Sequence, residues 1–329
     1  MTVVPPKRLL IGLALFALML ALVPLTGDKY WIKLMTRMIV LGIFAMSLDF
    51  IVGYVGLVSF GHAAFFGLAA YTLHLIASDD EAINLIVALP ACVGASALAA
   101  LVIGALSVRT KGIYFIMVTL AFAQMLFYFF YSSNIAGGSD GAYIYIPPVL
   151  ALGDTVLFDL GARNALYLFS LASMAAIYAV LVMVLRSPFG VVIQGIKVNE
   201  HRMRALGYNT YRYKLAAFVI AGAFGGYAGF LFGCIDGFVP PELLGWRESG
   251  LGLVMVILGG IGTLFGPVLG AFALLGVEEL FRDRLIFGVL SEHWQILLGA
   301  FIIAVVLCMS NGVGGQLLRL ARRGRRADG

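Results

Sequence analysis

Residues 85–107 read LIVALPACVGASALAALVIGALS, a run of apolar and small residues without a charged side chain. About 20 apolar residues suffice for an α-helix to cross the hydrocarbon core of a bilayer. The rest of the chain has the same character: 62% of its 329 residues are hydrophobic and 12% are charged. A typical soluble domain is about 25% charged. We therefore predict an all-α, polytopic integral membrane protein in which residues 1–329 form a single transmembrane domain.

Other apolar runs predict about ten membrane-spanning helices. The longest run, residues 249–280, would be about 48 Å long as one helix, well beyond the roughly 30 Å core of a bilayer. It contains a glycine-rich segment at 259–262 and the helix-breaking pair Gly266-Pro267. We therefore expect two spans there with a break between them. The runs are 9–25, 34–52, 60–77, 85–107, 112–131, 165–185, 214–235, 249–280 (two spans) and 294–309.

The positions of Lys and Arg predict the orientation, because cytoplasmic loops carry an excess of these residues. With ten spans and the N-terminus inside, most of the 22 Lys and Arg fall inside, notably in the loop 186–214 and the basic tail 311–329. Both termini are then cytoplasmic and the loop 132–164 lies outside. The basic pair Lys7-Arg8 also resembles the start of a signal peptide, but no clear cleavage site follows, so we favour an uncleaved first helix.

Several classes of function lack a motif in this sequence. The basic residues lie between apolar segments instead of on one soluble face, which excludes nucleic-acid binding. Three scattered cysteines predict neither a disulfide framework nor a metal site. Ser59 and His62 lack the G-x-S-x-G context of a hydrolase. The enzyme-class alternative, an intramembrane serine protease, has no supporting motif. The phosphate-binding loop G-x-x-x-x-G-K-[ST] is also missing, so any ATP that drives this protein is hydrolysed by another chain.

Two ionisable side chains inside apolar runs are candidates for function, because placing charge in lipid is costly. Asp49 lies in the second run, and the residues alone leave it open whether it lines a path or hydrogen-bonds to neighbouring helices. His62 either lines a path or caps a broken helix. Two glycine-rich stretches, 53–62 and 259–270, have the character of broken helices that expose backbone groups to a water-filled path.

The inside loop between the sixth and seventh runs predicts an amphipathic helix that begins at Ser187-Pro188 and ends at Gly207. Ser is a preferred N-cap, Pro is favoured in the first turn, and Gly is favoured just after a helix. Apolar residues from Val192 to Leu206 alternate with charged ones at roughly helical spacing. Such a helix either docks into a groove of a partner protein or rests on anionic lipid.

Several motifs resemble those of the branched-chain amino acid ABC transporter permeases, more closely the LivM type than the LivH type. The resemblance covers roughly residues 35–310, with the motifs in the same order. Asp49 and Leu57 stand where members of this family commonly show Asn and Gln. The matching segments are GYVG (53–56), SFGHAAFFG (59–67), KGIYF (111–115), TLAFA (119–123), GGSDG (137–141), SPFG (187–190), IKVNE (196–200), ALG (205–207), YRYKLAAF (211–218), LGGIG (258–262) and FGP (265–267).

The resemblance implies a permease subunit of an ABC importer in a bacterial inner membrane. It implies a coupling helix that contacts an ATPase and two glycine-rich stretches that line the substrate path. The coupling residues would be Ser187, Pro188, Phe189, Gly190, Lys197, Asn199, Glu200, Ala205, Leu206 and Gly207. The path residues would be Asp49, Gly53, Gly56, Ser59, Gly61, His62, Gly67, Gly259, Gly260, Gly262 and Gly266.

The same resemblance implies the partners and the cargo. The partners would be a second, LivH-type permease, two cytoplasmic P-loop ATPase subunits, a periplasmic substrate-binding protein and membrane lipid. ATP and Mg would be bound by the ATPase subunits, and this chain would bind no cofactor and catalyse no reaction. The cargo would be a branched-chain or other hydrophobic amino acid; urea, short amides and small aromatic acids are the alternatives. A stand-alone secondary transporter or channel, with Asp49 or His62 as a proton-linked site, is the alternative of a different class.

Overall fold

The computed structural model describes residues 7–78, 81–152, 155–283, 288–308 and 312–316. Residues 153–154 of the predicted outside loop and all of the basic tail but 312–316 lie outside these residues. The helices are α1 (Lys7–Leu22), α2 (Lys29–Asp49), α3 (His62–Ile76), α4 (Leu85–Ser107), α5 (Ile113–Ser132), α6 (Arg163–Arg186), α7 (Pro188–Val198), α8 (Glu200–Ala205), α9 (Thr210–Asp236), α10 (Trp246–Gly259), α11 (Phe265–Arg282) and α12 (Trp294–Cys308).

The described chain is all-α apart from four short strands, and a helix lies at each predicted span. The run 249–280 is divided as expected, into α10 and α11, because Gly260 and Gly262 take positive φ angles of 105° and 77° that end the helical path. Among the described residues, five helical segments are long and apolar enough to cross a membrane: Lys29–Val55, Leu85–Ser107, Ile113–Ser132, Arg163–Arg186 and Thr210–Asp236. Apolar helices at the other predicted spans are shorter.

Side chains that cap helix starts explain where some of the helices begin. Asp28 accepts a hydrogen bond from the backbone N–H of Tyr30 at the start of α2. Asn84 does the same for Ile86 at the start of α4. A helix leaves its first N–H groups without intrahelical partners, so a polar side chain just before it favours that starting point.

The core of the molecule lies around α2. In the most apolar 18-residue stretch of Lys29–Val55, 94% of the residues are buried. The corresponding stretches of α4 and α5 are 28% and 22% buried. Helices α6, α9, α10 and α11 all pack against α2. The apolar outer faces of α4 and α5 are exposed, as expected of helices that face lipid or another membrane protein.

The ends of the helices fall into two groups. At one end, the α7 end, α7 and α8 lie beside the end of α2, the end of α4 and the start of α9. At the opposite end, the strand end, Lys33 of α2 pairs with Asp236 of α9 at 2.6 Å. Gly314, in the described segment after α12, lies against Gly259 and Gly266 and so belongs to the α7 end.

Short strands and 3₁₀ turns connect the helices at the strand end. β1 (Ala142–Tyr143) pairs antiparallel with β4 (Phe238–Val239), and β2 (Val149–Leu152) pairs antiparallel with β3 (Thr155–Asp159). The β1–β4 pair joins the loop 132–164, which the sequence placed outside, to the segment between α9 and α10. The 3₁₀ turn Pro241–Leu244 packs against α3 and α5, so this segment contributes to the bundle instead of standing clear of it.

Candidate functional site

The end of α2 is not a regular helix. After Asp49 the chain makes a π-helical turn, Phe50–Val55, and ends at Gly56, whose φ of 83° lies in the left-handed region. Short π-helical segments inside α-helices occur frequently at functional sites. This turn contains Gly53, and its buried position places it at the centre of the α7 end.

The Asp49 carboxylate holds the connection between α10 and α11. One oxygen accepts a hydrogen bond from the N–H of Gly262 at 2.7 Å, and the other accepts from the N–H of Leu264 at 3.1 Å. This connection has left helical geometry: Leu264 itself has a positive φ of 56°, so its N–H groups need partners from elsewhere. The sequence left two roles open for Asp49, lining a path or hydrogen-bonding within the bundle. The structure shows the hydrogen bonds, which run to the connection between two neighbouring helices.

The glycines of the two broken stretches allow backbones to meet. A Cβ atom on Gly53 would lie 2.5 Å from the nearer oxygen of Asp49 and 2.6 Å from the backbone N of Gly262. On Gly259 it would lie 2.6 Å from the N of Pro267. Side-chain atoms essentially never approach this closely, so these positions require glycine.

Two other glycines predicted to line the path are packed against neighbouring elements. A Cβ atom on Gly61 would lie 3.1 Å from the Cβ atom of Thr119 in α5. On Gly67 it would lie 2.7 Å from the side chain of Leu244. Both glycines therefore lie where neighbouring elements of the bundle pack closely.

His62 is the first residue of α3 and is fully buried. Its Nε2 atom lies 2.8 Å from the hydroxyl of Ser47 in α2, while Nδ1 has no hydrogen-bond partner among the described residues. The next residue, Ala63, donates its N–H to the hydroxyl of Ser249 in α10 at 2.9 Å. The N–H of Gly61 donates to the hydroxyl of Ser59 at 3.2 Å. The start of α3 is thus held by polar contacts to α2 and α10.

The predicted single helix from Ser187 to Gly207 is wrong: the chain forms two helices, α7 and α8. Ser187 caps α7 as predicted, accepting from the N–H of Gly190 at 3.3 Å. The break is at Asn199, whose backbone is extended and whose side chain accepts from the N–H of Arg202 at 2.9 Å to start α8. Asparagine is among the strongest helix starters, and this signal was present in the sequence.

The break at Asn199 changes which side chains are exposed. Val192, Ile193 and Ile196 are buried as the amphipathic pattern predicted. Leu206, expected on the same apolar face, is instead 66% exposed. Together with Val191 and Val198, which are 63% and 84% exposed, it forms what we call the apolar tips of α7 and α8.

Glu200, the first residue of α8, forms ion pairs with three basic side chains. Its carboxylate lies 2.6 Å from Arg204, 3.1 Å from Lys214 of α9 and 3.3 Å from Lys111 in the connection between α4 and α5. The hydroxyl of Thr210 donates a further hydrogen bond at 3.0 Å. Burial alone would raise the pKa of Glu200, but hydrogen bonds and charge from Lys214, with Thr210 and Arg204, outweigh it and lower the pKa to about 2. The carboxylate therefore remains charged at neutral pH and ties α8 to α9.

Lys197, near the end of α7, reaches the end of α2. Its ammonium group donates a hydrogen bond to the carbonyl oxygen of Gly53, and a Cβ atom on Gly56 would lie 3.1 Å from its side chain. The sequence assigned Lys197 to coupling and Gly53 to the path. It gave no indication that they touch, because the two residues are 144 positions apart.

A cavity of about 600 Å³ lies near the strand end between α2, α10, α11 and α12. Its wall is rich in leucine, and its charged residues were not recognised in the sequence as a group. Arg282 pairs with Glu278 at 2.6 Å and lies over the ring of Trp294. The charged lining residues are Arg37, Arg247, Glu248, Glu278, Glu279 and Arg282.

Comparison with known proteins gives one consistent result. Residues 30–306 match the profile of the family described as the permease component of branched-chain amino acid transport systems. The chain is 28% identical to the high-affinity branched-chain amino acid transport system permease protein LivM of Salmonella typhimurium, over 88% of this chain and 71% of that protein. It is also 28% identical to LivM of Escherichia coli, over 93% of this chain and 75% of that protein.

A shorter match links the chain to a protein named for another cargo. The autoinducer 2 import system permease protein LsrC of Photorhabdus laumondii is 29% identical over 37% of this chain and 37% of its own length. No solved structure matches the chain significantly. The named relatives are permease proteins and not enzymes.

Proposed function

The chain belongs to the family of permease components of branched-chain amino acid transport systems, and we propose that it is the membrane-spanning permease subunit of an ATP-driven importer. ATP would be hydrolysed on separate subunits. The whole chain would act as one transmembrane domain that alternates between two arrangements. The observation that carries the proposal is the junction of α2, α7 and the α10–α11 connection at Asp49, Gly53 and Lys197.

The two ends of the bundle support an orientation for this permease. The α7 end contributes Arg109, Lys111, Lys197, Arg204 and Lys214, with Glu200 among them. We assign this end to the cytoplasm, since cytoplasmic loops are enriched in Lys and Arg. The strand end, with the loop 132–164, then faces the periplasm of a bacterial inner membrane.

The proposed orientation sets the number of crossings. One crossing for each helix at a predicted span would give ten crossings and would place both termini in the cytoplasm. The shorter helices α1, α3, α10 and α12 cross with the help of non-helical segments. Backbone of that kind is tolerated at membrane depth where it is enclosed by protein, as the buried segment around Ser59 and Gly61 is.

The subunit would need partners on both sides. At the cytoplasmic side the coupling residues and the apolar tips of α7 and α8 would dock into one of two P-loop ATPase subunits, which hold the ATP and Mg. At the periplasmic side the loops 132–164 and 236–248 would meet a substrate-binding protein. The exposed apolar faces of α4 and α5 would contact lipid and a second, LivH-type permease.

We propose a branched-chain or other hydrophobic amino acid as the cargo. Both relatives that match most of the chain are named for such transport. The cavity at the strand end adds support, because its leucine-rich wall and its charges of both signs suit a solute that has an apolar side chain and two charged groups.

The experiment is purification of the tagged chain in mild detergent with its co-purifying subunits, followed by reconstitution into proteoliposomes. We expect ATP-dependent uptake of radiolabelled leucine when the binding protein is supplied on the side of the membrane opposite to the ATPase. A variant ATPase without its P-loop lysine is the control and should abolish uptake. Uptake that continues without ATP and stops when the proton gradient is collapsed would establish a secondary transporter and overturn the proposal.

A further inference from the structure

The first of two linked contacts joins α7 to the end of α2. The last carbonyl groups of a helix lack partners within that helix, and Gly53 lies in the final turn of the α2 segment. The Lys197 ammonium group supplies the missing donor to the Gly53 carbonyl oxygen. Its side chain also passes over Gly56, where a Cβ atom would lie 3.1 Å from Lys197 Cγ. A displacement of α7 would therefore act directly on this turn.

The second contact joins the same turn to the break between α10 and α11. Asp49 lies one helical turn before Gly53, and its two oxygens accept the N–H groups of Gly262 and Leu264 at 2.7 and 3.1 Å. Gly53 itself lies against Gly262, where even a methyl group would not fit. The turn of α2 and this connection therefore cannot move independently over more than a short distance without breaking these contacts.

We propose that Lys197 and Asp49 are positioning residues of a relay that runs from α7 through the α2 turn to the α10–α11 connection. Lys197 transmits displacement of α7 to Gly53, and Asp49 transmits it onward to Gly262 and Leu264. This inference rests on the proposed function, because it assigns the cytoplasmic ATPase as the source of the displacement. It adds an identified link between the coupling residues and both glycine-rich stretches.

The relay can be tested without transport by measuring backbone amide exchange in the purified assembly. Removing the first contact with Lys197→Met should loosen the segment 260–265, which lies beyond the Lys197 hydrogen bond to Gly53 and is held by Asp49. We expect exchange there to rise roughly tenfold, the effect of losing about 1.4 kcal/mol of protection. Lys197→Arg, which keeps a donor, should restore most of the protection. Arg202→Met is the matched control: it removes one exposed positive charge from the adjacent α8 and should leave this segment unchanged.

The second readout is the amount of leucine transported per ATP hydrolysed in proteoliposomes. We expect Lys197→Met to lower this ratio roughly tenfold while ATP hydrolysis and assembly persist, since coupling between two sites typically changes an equilibrium by about 5- to 150-fold. Unchanged exchange at 260–265 would overturn the relay, and so would faster exchange with an unchanged transport ratio. If the wild-type assembly carries no amino acid with ATP, the proposed function fails, whereas the exchange data still decide whether the mechanical link exists.

Discussion

Gly53 and Gly262 lie in direct backbone contact where the end of α2 meets the α10–α11 connection. A Cβ atom on Gly53 would lie 2.6 Å from both the N and the Cα of Gly262. Gly53→Ala should therefore force the two segments apart at a cost of roughly 1–3 kcal/mol and abolish most uptake. The measurement is thermal stability in detergent together with leucine uptake. Gly94→Ala, at a glycine of α4 with no atom within 4 Å of its Cβ position, should change neither.

Asp49 should tolerate an amide better than an apolar side chain. In Asp49→Asn one oxygen still accepts from the backbone, whereas Asp49→Leu leaves the N–H groups of Gly262 and Leu264 unpaired, at about 1–3 kcal/mol each. We expect Asn to retain a large fraction of uptake and Leu to lose both stability and uptake. Loss of transport in the Asp49→Asn variant at normal stability and abundance would show instead that the carboxylate charge is required.

Glu200 should stabilise the α7 end in a pH-dependent way. Its pKa falls from the ordinary 4.5 to about 2 in the folded protein, so its contribution is complete above pH 4.5 and is lost as the pH falls toward 2. Glu200→Gln should cost about 2 kcal/mol and increase proteolytic cleavage at 199–209. The difference in free energy of unfolding between Glu200→Gln and wild type should be constant between pH 8 and pH 5. It should shrink below the ordinary pKa of 4.5. A difference that disappears already at pH 6 would contradict this account.

The apolar tips of α7 and α8 should be needed for binding the ATPase and not for folding. Val198→Asp and Leu206→Asp place charge on side chains that are 84% and 66% exposed, so the permease should remain stable. We expect the ATPase to be lost on co-purification. Val156→Asp, at an exposed valine of β3, is the control and should retain it. Retention of the ATPase by both α7–α8 variants would show that the tips do not contact it.

Chemical labelling should distinguish the two ends of the bundle. In the chain expressed without its ATPase subunits, Val198→Cys should react with a membrane-impermeant maleimide only in inside-out vesicles, and Leu157→Cys only in intact spheroplasts. Cys92 and Cys234 are buried and should contribute little background, and Cys308 is replaced by Ser. Labelling of both positions from the same side would refute the proposed orientation.

The helical positions of this protein were predictable from sequence because lipid imposes a simple rule. Runs of apolar residues must form helices that satisfy their own backbone, so α4 and α9 were placed within a few residues of their observed bounds. The break in 249–280 was also predictable, since Gly260, Gly262 and Pro267 disfavour a continuous helix. Asn199 was overlooked because the apolar spacing on both of its sides favoured continuing the helix.

The contacts within the site were not predictable in the same way. The sequence identified Asp49, Gly53 and Gly262 separately as path candidates, and the family resemblance assigned Lys197 to coupling. Which of them meet depends on how α2, α7 and α10 pack, and no local pattern encodes a contact across 144 or 213 positions. The roles of Lys111 and Lys214 were missed for the same reason, since Glu200 unites them only in the folded chain.

The burial of α2 has a consequence for how the protein is made. Asp49 emerges from the ribosome 213 residues before Gly262, its hydrogen-bond partner. At roughly 5–20 residues per second, that interval lasts on the order of 10–40 seconds. During this time α2 must wait in the bilayer with a carboxyl group that has no α10–α11 connection to bind. We therefore expect chains truncated before residue 262 to be retained by chaperones or destroyed by membrane proteases, because α2 gains its hydrogen-bond partners only when the second glycine-rich stretch has been made.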